Sequence, residues 1–139
     1  MTSDSGRVER IDPPGLLRPT GGLNTHVAIT SSRTAWINGQ VARDVEGGLV
    51  GEGDRVAQAR QCWQNLRTAL AGIGATGHDV VNYRTTVVGL EPEHVWPIIE
   101  AGRDVFGDEW PVAPSIMVGA TALGRPEYLV EIEAVAAVA

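Results

Sequence analysis

Residues Pro111 to Ala134, PVAPSIMVGATALGRPEYLVEIEA, read as two strands joined by a Gly-Pro loop. Ile116, Val118, Ala120 and Ala122 alternate with Ser115, Met117, Gly119 and Thr121. Beyond the loop, Tyr128, Val130, Ile132 and Ala134 alternate with Leu129, Glu131 and Glu133. A period of two assigns each set to its own side of a sheet. One side is then apolar, with Ile116, Val118 and Ala120 in it. The other is mixed and carries two carboxylates. A side of that kind is wet or is covered by another subunit, and the role of Glu131 depends on which.

The rest of the chain supplies what packs on the apolar side. Residues 1–7 are small and polar and are expected to be disordered, leaving one domain over residues 8–139. Val8 to Ile11 is a short edge strand ended by Asp12-Pro13-Pro14-Gly15. His26 to Thr30 and Thr34 to Asn38 read as an antiparallel pair around Ser31-Ser32-Arg33. Val41 to Gly53, rich in Gly and acidic, is a surface loop. From Asp54 to Ile73, the residues Val56, Ala59, Trp63, Leu66, Leu70 and Ile73 fall at steps of three and four, one helical stripe. Val80 to Val88 is a strand with Val81, Tyr83, Thr85 and Val87 on its apolar side. A second helix ends near Phe106-Gly107. Because Pro92 and Pro97 both belong in a first turn, it is expected to begin between Glu93 and Trp96. This order predicts an α+β two-layer sandwich, a mostly antiparallel sheet with two helices on one face. The uncovered side, holding Leu129, Val135 and Met117, is too apolar to stay bare, which implies an oligomer.

Several function classes are excluded or left without support. The net charge of −6 and the lack of a basic run argue against nucleic-acid binding. No apolar run approaches the roughly 18 residues of a membrane span, and MTSDSGRVER has no signal-peptide core. A lone Cys62 precludes an internal disulfide and suits a reducing cytoplasm. Gly72-Ile73-Gly74-Ala75-Thr76-Gly77 fits G-x-G-x-x-G, but it closes a helix and precedes a strand, the reverse of a nucleotide site. His26, His78 and His94 lack metal-ligand spacing with Cys62, so no metal site is expected.

Three residues keep two readings each. His26 is a surface residue or reaches a cleft near Asn38-Gly39. Trp110, before Pro111, packs in the core or lines a cleft. Glu131 is a strand carboxylate, solvated or paired with Arg84, or a partly buried group that holds a water and moves a proton.

Asn24-Thr25-His26, Asn38-Gly39-Gln40, Gln61 to Gly74, Asp79-Val80-Val81, Pro111 to Ser115 and Val130 to Ala134 occur in the order and spacing of one family. Over residues 8 to 138 the chain resembles the Rid family, the reactive intermediate deaminases, also called the YjgF type. The resemblance implies a chorismate-mutase-like fold, a homotrimer, and three small-molecule clefts between subunits. It implies cofactor-free hydrolysis of enamines and imines to keto acids and ammonia. An Arg would anchor the substrate carboxylate, and a Glu on the last strand would position the water. Glu131 matches that Glu.

The chain departs from the family pattern elsewhere. Pro114 stands where the anchoring Arg belongs, in Ala113-Pro114-Ser115. Asn38 replaces the turn Ser, Asn24 replaces a Tyr, and Ile99 falls near the helix Asn. The loop at Gly124-Arg125-Pro126 is longer than the pattern, and Arg84 or Arg125, from another strand or loop, is a candidate substitute anchor. The expectation is a divergent hydrolase, catalytic through Glu131, with Asn24, His26, Asn38, Gly39, Arg84, Trp110, Pro114 and Ser115 around its ligand and weak activity on ordinary 2-imino acids. The rival is a binding or protein-protecting module without turnover. A ribonuclease is disfavoured by the charge.

Overall fold

The computed structural model describes residues 4–139, apart from the side chain of Thr20. Strands β1 (Glu9–Ile11) and β2 (Val27–Ile29) form an antiparallel pair of their own. The main sheet holds β3 (Arg33–Gln40), β4 (Val80–Val88), β5 (Ser115–Ala120) and β6 (Val130–Val138) in the order β3-β6-β4-β5. Helices α1 (Arg55–Gly72) and α2 (Pro92–Phe106) cover one face. β6 is antiparallel to both β3 and β4, whereas β4 and β5 are parallel. The result is a two-layer α+β sandwich on a mixed sheet.

The first helix forms as its apolar stripe dictates. Ala59, Trp63, Leu66 and Leu70 are buried against Val87, Val130, Ile132 and Ala136 of the sheet. Asp54 caps it, its carboxylate accepting from the Ala57 N–H at 3.0 Å. Past Gly72 the chain turns through Gly74 at φ 72°, a conformation glycine adopts without strain.

Four expectations are corrected. The strand pair 26–30 and 34–38 does not form. The Thr30 hydroxyl donates to Arg7 O at 2.7 Å and accepts from the Ser32 N–H at 3.1 Å, carrying the chain from one sheet to the other. α2 begins at Pro92, and Pro97 lies inside it. Pro92 occupies the first helical position, where no N–H is needed, and His94 Nδ1 accepts from the Glu91 N–H at 2.9 Å. In β4 a register shift between Val80 and Asn82 puts Val80, rather than Val81, in the core.

The fourth correction concerns the closing segment. β5 and β6 are not neighbours, because the β4-α2-β5 crossover seats β5 parallel to β4 and leaves β4 between them. The sides of β5 are also reversed. Ser115 and Met117 lie opposite Tyr83 and Thr85, under the helices, while Ile116 and Val118 lie opposite Arg84 and Thr86 on the open face. β6 keeps the expected sides, with Val130, Ile132 and Ala134 buried.

The disorder expected over residues 1–7 falls partly outside the described residues. Within them, Ser5 donates to the buried Asp79 carboxylate, and Arg7 lies 3.7 Å from it.

Candidate functional site

The uncovered face of the sheet carries Trp36, Arg84, Ile116, Glu131, Glu133 and Val135. Trp36 is 79% exposed and Ile116 53%. Two carboxylates on β6 have different surroundings there. Glu133 faces Arg84 across the strand pair at 3.7 Å, so Arg84 pairs with Glu133 and not with Glu131, against the plain reading of Glu131. Glu131 has no hydrogen-bond or ion-pair partner among the described residues.

The position of Glu131 is set by β3. The ladder between β3 and β6 slips between Ile37 and Gln40, at Asn38-Gly39. The Glu131 side chain lies over Gly39, where a Cβ would sit 2.8 Å from its carboxyl carbon. Gln40 holds the bend, its amide donating to Asn38 O at 2.9 Å. Asn38 and Gly39 open onto a groove whose far wall is α1, at Gln61, Gln64, Asn65 and Thr68. Asn65 fixes the groove floor by donating to Val41 O and Arg43 O at 3.0 and 2.9 Å.

A second recess lies at the opposite edge, between α2 and β5. Asn24, Tyr83, Val95, Ile99, Trp110 and Ser115 are among its lining residues. Trp110 is 6% exposed and serves both of its readings. It packs in the core against Trp63, ring centroids 5.3 Å apart and planes tilted by 60°, and it also lines the recess. Its Nε1–H donates to Leu23 O at 2.8 Å, which holds the loop bearing Asn24. Burial pushes the Tyr83 hydroxyl pKa upward, and hydrogen bonding with Ser115 offsets part of that. Pro114 precedes this strand. Its carbonyl accepts from Asn82 Nδ2 at 3.0 Å, and it brings neither charge nor donor.

The candidate residues therefore fall into two groups. Glu131 lies opposite Thr86, and Ser115 opposite Tyr83. Three residues along β4 and two strand spacings across it separate them by about 14 Å. Asn24, Trp110, Pro114 and Ser115 belong to one group, and Asn38, Gly39 and Glu131 to the other. His26 joins neither. It is exposed, with Nε2 2.7 Å from Leu17 O and its backbone N–H donating to Asp12 at 2.8 Å. Arg125 is exposed in the loop before β6. Sequence reasoning missed Val95 and Met117 and took Tyr83 as core alone, because an apolar residue facing a recess has the same periodicity as one facing packed atoms. Among the described residues, no group of His, Cys, Asp and Glu could hold a metal ion, and no helix is long and apolar enough to cross a membrane.

Residues 17–138 match the family profile described as Endoribonuclease L-PSP, the YjgF/Rid family. The chain belongs to this family. Among solved structures, the Rid-family protein YyfB from Yersinia pestis, of unknown function, is 36% identical with a TM-score of 0.86. That match covers 95% of this chain and 99% of the other. A Mycobacterium tuberculosis member of the YjgF/YER057c/UK114 family is 30% identical with a TM-score of 0.59, over 82% of this chain and 86% of its own. The yeast protein YEO7 shares the Rid fold at 19% identity and a TM-score of 0.65, over 95% of this chain and 99% of its own. No curated protein matches the chain.

Proposed function

We propose that this Rid-family chain is a homotrimer with small-molecule clefts between subunits, hydrolysing an enamine or imine of unusual structure. The observation that carries this reading is the free carboxylate of Glu131. Glu133, two residues away, is paired with Arg84, whereas Glu131 has no hydrogen-bond or ion-pair partner among the described residues. A second copy is needed because one chain holds Glu131 and the Pro114-Ser115 edge about 14 Å apart. The exposed Trp36 and Ile116 give the sheet an apolar face for such a copy to cover.

The reaction follows from a half-buried carboxylate that no cation neutralises among the described residues. Glu131 accepts a proton as water oxygen bonds to the C=N carbon. That proton passes to nitrogen to give a carbinolamine. The carboxylate then takes the hydroxyl proton and delivers it to the amino group as C=O forms and the C–N bond breaks, releasing ammonia. No cofactor is required. A buried Cys62 fits a reducing compartment such as the cytoplasm.

The substrate differs from an ordinary 2-imino acid. Pro114 replaces the charge that would pair with a carboxylate, a loss on the order of 2–5 kcal/mol in binding. Freshly generated 2-iminopropanoate should therefore be hydrolysed slowly by the native chain and faster by Pro114→Arg. Glu131→Gln in the Pro114→Arg background should abolish that gain with the trimer intact. Turnover that survives Glu131→Gln would sink the reading.

One observation favours a binding module instead. Of the polar residues the family resemblance would place in the cleft, Glu131 alone is retained. Ligand binding without turnover of any imine, before or after Pro114→Arg, would select that alternative. The net charge of −6 gives no support to RNA cleavage.

A further inference from the structure

We infer that the recess between α2 and β5 binds an uncharged, ring-sized hydrocarbon group, and that this chain selects ligands lacking a carboxylate. The inference rests on the cleft proposed above and names the class of molecule it takes.

Three observations carry it. The recess has a volume of about 180 Å³, and none of its lining residues carries a charge at neutral pH. Val95, Ile99, Trp110 and Met117 are among its apolar walls, while Asn24, Ser115, Tyr83 and Thr85 bring an amide and hydroxyls to its lining. Small-molecule pockets commonly span roughly 300–1,000 Å³, so this one holds part of a ligand and leaves the remainder outside. The segment beside it is Ala113-Pro114-Ser115, where Pro114 supplies no cation to meet an anionic group.

The walls are also preformed. Trp110 is fixed by its hydrogen bond to Leu23 O and by contacts with Trp63 and Tyr83. Val95 and Ile99 are successive turns of α2 and form one wall without rearrangement. A hydrocarbon ring entering here replaces little ordered structure. A carboxylate entering here would lose water and find an amide and hydroxyls but no cation among the lining residues. Asn24 and Ser115 suit a neutral donor or acceptor on the ring's substituent.

The test pairs cyclohexanecarboxamide with cyclohexanecarboxylate, isosteres that differ in charge, and titrates each into the native protein by calorimetry. The amide should bind at least about tenfold more tightly. Val95→Phe, which places a ring inside the recess from an intact helix, should abolish amide binding while light scattering and circular dichroism stay native. Equal or tighter binding of the carboxylate overturns the inference, as does binding of neither. Amide binding that survives Val95→Phe overturns the location. If the amide binds as expected while no imine is hydrolysed, the proposed reaction fails and this inference stands.

Discussion

The Glu131 side chain rests on the Cα of Gly39, at the point where β3 slips against β6. Gly39 does not have a positive φ. Glycine is needed there for space alone, because an added Cβ would come within 2.8 Å of the carboxyl carbon and 3.0 Å of Cγ. The obstructing group is the end of a flexible side chain, so Gly39→Ala should cost under about 1 kcal/mol of stability. The displaced carboxylate should lower turnover by roughly 10- to 100-fold, the order expected for a misplaced group. Chemical denaturation and steady-state kinetics on the same variant separate the effects. A large stability loss with unchanged turnover would make Gly39 a structural glycine only.

Subunit assembly should depend on the open face of the sheet. Arg84 and Glu133 are both more than half exposed in the single chain, so breaking their 3.7 Å pair should cost well under 1 kcal/mol within a monomer. Trp36 is 79% exposed and contributes little to the fold of one chain. Trp36→Asp should thus leave the circular dichroism spectrum intact while light scattering shows the proposed trimer replaced by monomer. A Trp36→Asp protein that remains trimeric would place the interface elsewhere.

The sequence made the helices legible and the strands only partly so. Ala59, Trp63, Leu66 and Leu70 recur every three or four residues, and only one face of a helix satisfies that spacing. Alternation in β5 separates Ser115 and Met117 from Ile116 and Val118 but does not say which set faces the helices. The more apolar set points away from them, onto a face whose cover another chain would supply. Strand partners were equally hidden, since β5 pairs with β4 across a helix and β2 pairs with β1 across a long loop. Within the site, Glu131 and Gly39 were legible as residues in register with a family. Their direct contact was not, because it depends on a slipped ladder.

Gln58 illustrates a residue that periodicity misses. It is fully buried on α1, and its amide donates to Gly51 O at 3.1 Å and Glu127 O at 2.9 Å. Its carbonyl accepts from the Leu129 N–H at 2.8 Å. It thereby ties the loop before α1 to the segment entering β6, just ahead of Glu131. Gln58→Leu should strand three partly buried backbone groups at about 1 kcal/mol each. A loss of about 3 kcal/mol, or about 10 °C in melting temperature, is expected. A near-native melting temperature would mean that water or relaxation satisfies those groups.

Cys62 gives the fold a pH signature. Burial pushes its thiol pKa up to about 12, and the negative charge of Glu131 adds to the rise. In the unfolded chain a thiol ionises near pH ~8.5. The folded state holds the proton more tightly, so this contribution is fully present below pH ~8.5 and is lost as pH climbs toward about 12. The slope across that window is at most about 1.4 kcal/mol per pH unit. Tyr83, raised by burial as well, acts with the same sign. Urea denaturation at pH 7 and pH 10 should show a fall in stability that is smaller in Cys62→Ala. At pH 8 an aromatic disulfide reagent should label Cys62 only after unfolding. Rapid labelling of the native protein, or identical pH dependence in Cys62→Ala, would show that the thiol is not held neutral by the core beneath Glu131.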